Sequence, residues 1–279
     1  MIHSTRIEKS LLQALDGRLA LAVELAHAAG QSTLEHFQSS GLQVDRKGDA
    51  SPVTVADRNA EQLIRELLQQ SFPTDAILGE EFGNSAGTSE YQWIIDPIDG
   101  TKSFICGVPL YSTLVGVVKG RECLAGVIYV PALDEIIYAV RGQGAWHSKQ
   151  DQIPQRCEVS QKSLEDGLFV VSQVDSFGKR GAEQAYRSFE KTAYVTRSWG
   201  DGYGYMLVAT GRAELMVDPI ANPWDLAAVQ PIVEEAGGKF SSWRGEPHVF
   251  GGDGLGCNAA VYDYALEVLK ECPSQTANL

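Results

Sequence analysis

Apolar residues recur at three- and four-residue steps from about Ile7 to Phe37, at Leu11, Leu12, Leu15, Leu19, Val23, Leu25, Ala26 and Ala29. That period places them on one face of a helix, with an interruption near Gly17 and an end by Gly41. The polar stretch "VDRKGDASPVT" (44 to 54) reads as a connector. Thr54 can then cap a second helix with Ala60, Leu63, Ile64, Leu67 and Leu68 on its apolar face, closed by Pro73.

After that the period shortens. "AILGEE", "YQWIID", "STLVGVV", "CLAGVIYV" and "EIIYAV" are brief runs rich in Val, Ile and Tyr, separated by Gly, Pro or charged turns. They predict a mostly antiparallel sheet across residues 76 to 140, which two helices would cover as an α+β unit. Further on, strands and helices alternate: "GLFVVS", a helix near 181 to 190, "AYVTR", a helix near 202 to 210, "AELMV", a helix from 223, "GKF", "GCNAAV" and a last helix to about 270. Alternation of this kind predicts a second layered α/β unit, with residues 1–150 in the first and 151–279 in the second.

Charge narrows the partners. Thirty-six acidic against 23 basic residues leave a net charge of −13, which argues against broad binding to nucleic acid or to an anionic membrane, since both need clustered Lys and Arg. An acidic protein that handles an anion needs metal ions to reverse the local field. The five cysteines contain no C-x-x-C pair, so neither a disulfide framework nor a zinc site is indicated, and a reducing cytoplasm is the simplest setting. "LALAVELAHAAG" (19 to 30) carries Glu24 and His27 and so lacks the unbroken apolar centre of a signal peptide. No stretch reaches the roughly 20 apolar residues of a membrane span.

The candidate chemistry lies in carboxylates at three strand ends: Glu80 and Glu81 in "LGEEFG", Asp96 and Asp99 in "IDPIDGT", and Asp225 in "NPWDLAA". Taken singly, each has a simpler role as a solvated loop, an Asx turn or an acid at a helix N-terminus. Together, after strands of two different units, they point to a site for a hard divalent cation such as Mg²⁺, which takes oxygen ligands. Pro97 stiffens the turn so that Asp96 and Asp99 can approach one ion, and the Ile98 carbonyl offers another oxygen. Gly100 lets a bound group come close, and the Gly100 and Thr101 amides could meet a phosphate.

"GEE", "WIIDPIDGTKSF" and "WDLAAVQPIVEEAGG", in this order and spacing, resemble the signature segments of the inositol monophosphatase superfamily of Mg²⁺-dependent, lithium-sensitive phosphatases, from roughly residue 10 to 270. The resemblance implies a layered α-β-α-β-α sandwich and two or three Mg²⁺ ions. One would be held by Glu80, Asp96 and the Ile98 carbonyl, a second by Asp96, Asp99 and Asp225, and a third, looser one by Glu80 and water. Thr101, with Asp57 of "VTVAD" behind it, would help to orient and deprotonate the water that attacks phosphorus. Glu81 would not ligate directly.

Within the superfamily, "TKSF", "RSWGDGYGYMLVATGRAELMVDPIANPWDLAA" and "FSSWRGEP" look most like the histidinol-phosphate phosphatase branch. Where inositol-specific members usually have a glutamate, this chain has Asp218. With Asp201 of "WGDGY" it could receive a cationic amine or imidazole, while Lys102 and Lys47 could add positive charge near the phosphate. The implied activity is hydrolysis of a small phosphorylated metabolite, histidinol phosphate first, with inositol monophosphate or adenosine 3′,5′-bisphosphate as alternatives. A catalytically silent binding protein on the same fold would have lost Thr101 or a metal aspartate. Here all are present. A homodimer is compatible with the sequence, but no interface can be read from it.

Three features stand apart. Pro231 inside "WDLAAVQPIVEEAGG" predicts a kink one or two turns after the helix start, with Asp225 ahead of it. "GNSAG" (83 to 87) matches a nucleophile elbow around Ser85, but polar flanks make a flap beside Glu80 the better reading. "GGDGLG" (251 to 256) precedes a strand, which a phosphate-cradling loop does not. Histidines 3, 27, 36, 147 and 248 show no metal spacing, and Trp93, Trp199 and Trp224 read as scaffold.

Overall fold

The structure, a computed structural model, describes residues 7–48 and 51–274; His3 and the connector residues Asp49 and Ala50 lie outside these. After a short 3-10 turn, α1 (Arg18–Thr33) starts directly behind Gly17, whose φ of 84° is open to a residue without Cβ. The interruption expected near Gly17 is thus the point where the helix begins. α2 (Val55–Ser71) starts at Thr54 as expected. The Thr54 hydroxyl accepts the Ala56 N–H at 3.1 Å, and the Asp57 carboxylate accepts the Thr54 N–H at 2.7 Å, a reciprocal cap.

The expected connector between these helices is instead a hairpin of β1 (Val44–Arg46) and β2 (Pro52–Thr54), paired antiparallel. Three-residue strands with charged and prolyl positions carry too little alternation to be recognised as strands.

The first large sheet comprises β3 (Ala76–Gly79), β4 (Gly83–Ser85), β5 (Tyr91–Asp99), β6 (Ser112–Lys119), β7 (Glu122–Val130), β8 (Glu135–Val140), β9 (Ala145–Lys149) and β10 (Gln155–Arg156), in the order β10-β9-β8-β7-β6-β5-β3-β4. It is antiparallel except for β3 against β5, and α3 (Thr101–Ile105) follows β5. The stretch expected as a flap, including Ser85, is edge strand β4, held antiparallel to β3. Ser85 accepts a hydrogen bond from Arg65 at 2.8 Å, an edge-strand contact rather than a nucleophile's setting.

The second sheet has the order β12-β11-β13-β15-β14, built from β11 (Leu168–Val170), β12 (Val195–Arg197), β13 (Leu215–Asp218), β14 (Lys239–Ser241) and β15 (Gly254–Cys257). Between its strands run α4 (Asp175–Lys179), α5 (Glu183–Thr192), α6 (Asp201–Ala209), α7 (Pro223–Leu226) and α8 (Val229–Glu235), with α9 (Ala259–Leu269) last. α4 is an addition to the expected elements: at five residues it spans too little chain for a helical period to register. No described helix is long and apolar enough to cross a membrane.

Alternation along the first sheet explains the layering. Trp93, Ile95, Val115, Val117, Val127 and Tyr138 pack with α1 and α2 on one face. Their neighbours Ile94, Leu114, Ile128 and Ile137 share a cluster on the other face with Met206 of α6, Ile232 of α8 and Met216 and Phe240 of the second sheet. The outer face of the second sheet is covered by Phe177, Phe189 and Val261 of α4, α5 and α9. The result is an α-β-α-β-α sandwich, as expected. Because both faces of the first sheet are covered, its central strands read as continuous apolar runs.

The middle layer approaches very closely. A Cβ on Gly126 of β7 would lie 1.9 Å from the Ala228 carbonyl oxygen. That carbonyl sits where the helix expected from residue 223 divides into α7 and α8, three residues before Pro231. Proline cannot donate the next helical hydrogen bond, which accounts for the break. Gly126→Ala should therefore lower stability by about 1–3 kcal/mol through overpacking; urea denaturation monitored by circular dichroism measures it.

Candidate metal and active site

The site forms where β5 meets α7. The pairing of β5 with β6 shifts register between Asp96 and Asp99, and Pro97, which has no N–H to lose, occupies the irregularity. The bulge frees the strand end to bring both aspartates to one spot. Asp225 arrives from α7 as the third residue of a second reciprocal cap, its Oδ2 accepting the Asn222 N–H at 2.6 Å. Oxygens of Asp96, Asp99 and Asp225 all lie within 4.8 Å of one another.

Asp99 is also tied from both halves of the chain. Its Oδ2 accepts the Ser112 hydroxyl at 3.0 Å and the Gly202 N–H at the start of α6. Asp96 Oδ1 accepts the Ile98 N–H at 3.0 Å. Asp96 and Asp99 are buried, and like charges so placed resist ionisation. Burial, followed by repulsion from Glu80, Asp99 and Asp225, drives the Asp96 carboxyl far above the usual carboxylate range. Burial with Asp201 and Asp225 does the same to Asp99, and burial with Glu80 does it to Asp225. Such a cluster must be neutralised by protons or by a cation, and its all-oxygen donor set fits a hard divalent ion.

The other expected residues surround this cluster. Thr101 Oγ1 lies 3.3 Å from Asp57 Oδ1 and 3.1 Å from the Ile98 carbonyl oxygen. Burial raises the Asp57 carboxyl above its ordinary value even though Thr54 donates to it from backbone and hydroxyl. Glu80 lines the cleft, outside the tight group of three, with its Oε1 2.8 Å from Lys47 Nζ. The same ammonium reaches Glu81 Oε1 at 2.6 Å, so the positive charge expected from Lys47 near a phosphate is already engaged by two carboxylates. Lys102 lines the cleft and donates to Gln173.

Opposite the cluster, Ser172 joins the two acids of the second unit. Its hydroxyl donates to Asp218 Oδ1 at 2.7 Å and accepts the Asp201 N–H at 2.9 Å. Asp201 has a φ of +57°, a left-handed conformation costly for a residue with a Cβ. Gly100, at φ +85°, faces it: a Cβ there would lie 2.8 Å from Asp201 Oδ2. Burial, and after it the charge of Asp201, push the Asp218 carboxyl up to about 7 against the pull of Ser172.

A cleft of about 510 Å³ runs between these walls. Ser172, Gln173, Ser176 and Lys179 line it but carry no signal in sequence, since they belong to a loop and the short α4. One other expectation changes: Trp93 is buried and donates to Asp75 at 2.9 Å, yet Trp199 is 43% exposed beside Asp201 and is not scaffold.

A crowded carboxylate cluster that could hold a metal ion, at the junction of two sheets in a five-layer sandwich, defines a class, and residues 14–274 match the inositol monophosphatase family. The chain belongs to that family. The histidinol-phosphatase of Chlorobaculum parvum is 44% identical over 239 residues, covering 85% of this chain and 90% of that protein. The histidinol-phosphatase of Mycobacterium tuberculosis is 36% identical over 253 residues, covering 90% and 97%. Among solved structures, the Thermotoga maritima IMPase superposes with a TM-score of 0.80 at 31% identity, over 91% of this chain and 97% of that one.

The raised carboxyls give stability a sign. Asp218 and Glu81, both pushed up to about 7 chiefly by burial, bind more protons in the native than in the unfolded chain. Their stabilisation is complete below the ordinary carboxylate range and is lost as pH rises through about 7. Glu135 is held down to about 2, where its bonds to His147 and Arg212 outweigh burial, so it stays ionised throughout this window. The metal-free protein should melt at progressively lower temperature from about pH 5 to 8, and Mg²⁺ should restore more at pH 8 than at pH 6. Differential scanning fluorimetry in EDTA and in Mg²⁺ tests both statements.

Proposed function

We propose that this chain is a Mg²⁺-dependent phosphomonoesterase whose substrate is histidinol phosphate, a step of histidine biosynthesis. The observation that carries the chemistry is the group of three crowded carboxylates beside a cleft, whose all-oxygen donor set and mutual repulsion suit a hard divalent cation. Asp96, Asp99, Asp225, Glu80 and the Ile98 carbonyl would hold the ions. Bound Mg²⁺ supplies positive charge that offsets the negative charge developing on the attacking and leaving oxygens.

The chain's own groups do the rest. Thr101 Oγ1 stands beside Asp57, so its hydroxyl proton can rest on that carboxylate and leave a lone pair to accept from the attacking water. Asp57, held by the α2 cap, fixes the direction of that hydrogen bond. The Lys102 ammonium can leave Gln173 and meet phosphate oxygens, while the small Gly100 keeps the wall open. On the far side, Asp201 and Asp218 offer two acids to the non-phosphate end of the substrate. This favours an amine or imidazolium over a neutral polyol, in line with the relatives named histidinol-phosphatase.

Phosphate release in Mg²⁺ from histidinol phosphate, inositol monophosphate and adenosine 3′,5′-bisphosphate tests the reading; no turnover on any of them, with Mg²⁺ bound, defeats it. Asp99→Asn should lower turnover by more than about 100-fold, beyond the usual cost of losing a residue behind a ligand. The same substitution should leave the melting temperature in EDTA unchanged or raised, because it removes one of the repelled charges. Asp201→Asn should cost about tenfold in kcat/KM on histidinol phosphate, as expected for a lost charged contact, and spare inositol monophosphate. Equal losses on both would remove the role in selectivity.

A further inference from the structure

A fully buried acid stands behind the site and takes no part in the cluster described above. Glu61 lies one turn after Asp57 on α2, and none of it is exposed. Its Oε2 accepts the Glu81 N–H at 2.7 Å; its Oε1 accepts the Phe82 N–H at 3.2 Å and Arg65 Nε at 2.8 Å. Space for the carboxylate comes from Gly79, where a Cβ would lie 2.1 Å from Glu61 Oε1. The tight connection from β3 to β4 is thus strapped at three of its positions by one side chain. Residue 79 yields to it, residues 81 and 82 donate to it, and Glu80 sits between them.

Burying a carboxylate costs several kcal/mol unless it is fully paired, and a sheet edge can be turned without one. The arrangement is better explained by what the turn carries. Glu80 lines the cleft with Asp99 and Asp225, its Oε1 2.8 Å from Lys47 Nζ. Held only by β3–β4 pairing and by the Glu80 N–H on the Ile95 carbonyl at 3.3 Å, the turn could still rotate the Glu80 side chain away from the cleft. Backbone N–H groups bound to a fixed, charged acceptor resist such rotation, since charge-assisted hydrogen bonds are the stronger kind. One face of α2 therefore serves two parts of the site. Asp57 meets Thr101, and Glu61, four residues on, meets the Glu80 turn.

We propose that Glu61 is a positioning residue that sets the affinity of the site for its divalent cation by fixing the backbone around Glu80. It touches no reacting atom. The inference rests on the reading of Glu80 as a metal ligand. Glu61→Gln keeps the volume but leaves one acceptor oxygen for three donors. The Mg²⁺ concentration giving half the maximal rise in melting temperature should increase at least about tenfold, as for other residues that orient a metal's ligands. Turnover of histidinol phosphate at saturating Mg²⁺ should stay within about twofold, because the filled site is unchanged. Glu61→Asp, shorter but charged, should fall between. Gly79→Ala, which pushes on the carboxylate from its other side, should weaken Mg²⁺ binding in the same direction.

Folded Glu61→Gln with the wild-type Mg²⁺ midpoint overturns the proposal. So does a fall in turnover that saturating Mg²⁺ does not recover, which would put Glu61 in the chemistry. If the glutamine variant does not fold, the aspartate and alanine variants decide by the same midpoint, and failure of all three to fold makes Glu61 a folding residue only. The wild-type protein run in parallel separates this inference from its premise. If it shows neither a Mg²⁺ shift nor phosphate release, the metal-phosphatase reading falls and the inference with it; a normal wild-type response with an unaltered variant removes the inference alone.

Discussion

Mutual repulsion among buried carboxylates at the end of β5 is the constraint to which the rest of the architecture answers. Asp96, Asp99 and Asp225 come from two distant segments, yet their oxygens are confined within 4.8 Å. A packed core has no reason to assemble such a group, because each ionised member raises the cost of the next. The surrounding structure supplies the force that holds them. A register shift in β5, a reciprocal cap on α7 and the backbone of α6 each fix one direction. Removing the repulsion with a cation then returns this stored cost as binding free energy.

The five-layer arrangement follows from how those segments must be held. α7 and α8 lie between two sheets, and their approach to β7 is close enough that Gly126 accepts no side chain. The break before Pro231 shapes that approach while leaving Asp225 upstream, in the capped first turn. Because the middle helices share a core with both sheets, the aspartates of β5 and α7 are positioned by one continuous packed body. A displacement of either sheet would change the carboxylate spacing.

Much of this was legible in the chain because the relevant signals are local and strong. Thr54, the long apolar period of α1 and α2 and the alternating runs of β5 to β8 each announce an element within a few residues. The metal candidates were legible for a different reason: carboxylates at three strand ends in two units, each with a simpler role when taken singly, together point to a cation site. The hairpin β1–β2, the edge strand β4 and α4 were not, since elements of three to five residues have no period to detect. Ser172, Gln173 and Glu61 were hidden for a deeper reason. Their significance lies in a partner 20 to 71 residues away in sequence, and no local pattern encodes such a pairing.

The fate of Lys47 shows how the surroundings, and not residue type, decide electrostatic roles. As a lysine beside an acidic site it would naturally be assigned to phosphate. Burial alone would discourage its charge, yet Glu80 and Glu81 reverse that and keep the ammonium firmly protonated. A cation so engaged is a poor phosphate ligand, because moving it would strand two carboxylates, one of them already pushed up to about 7. Lys102 is held by a neutral amide across the cleft and can be released at smaller cost, since the partner left behind carries no charge. The side chain free to meet an anion is therefore the one whose present partner is neutral. By the same logic Asp201 and Asp218 can meet a cation at small cost, since the groups bonded to their carboxylates, Ser172 and Tyr205, are neutral hydroxyls.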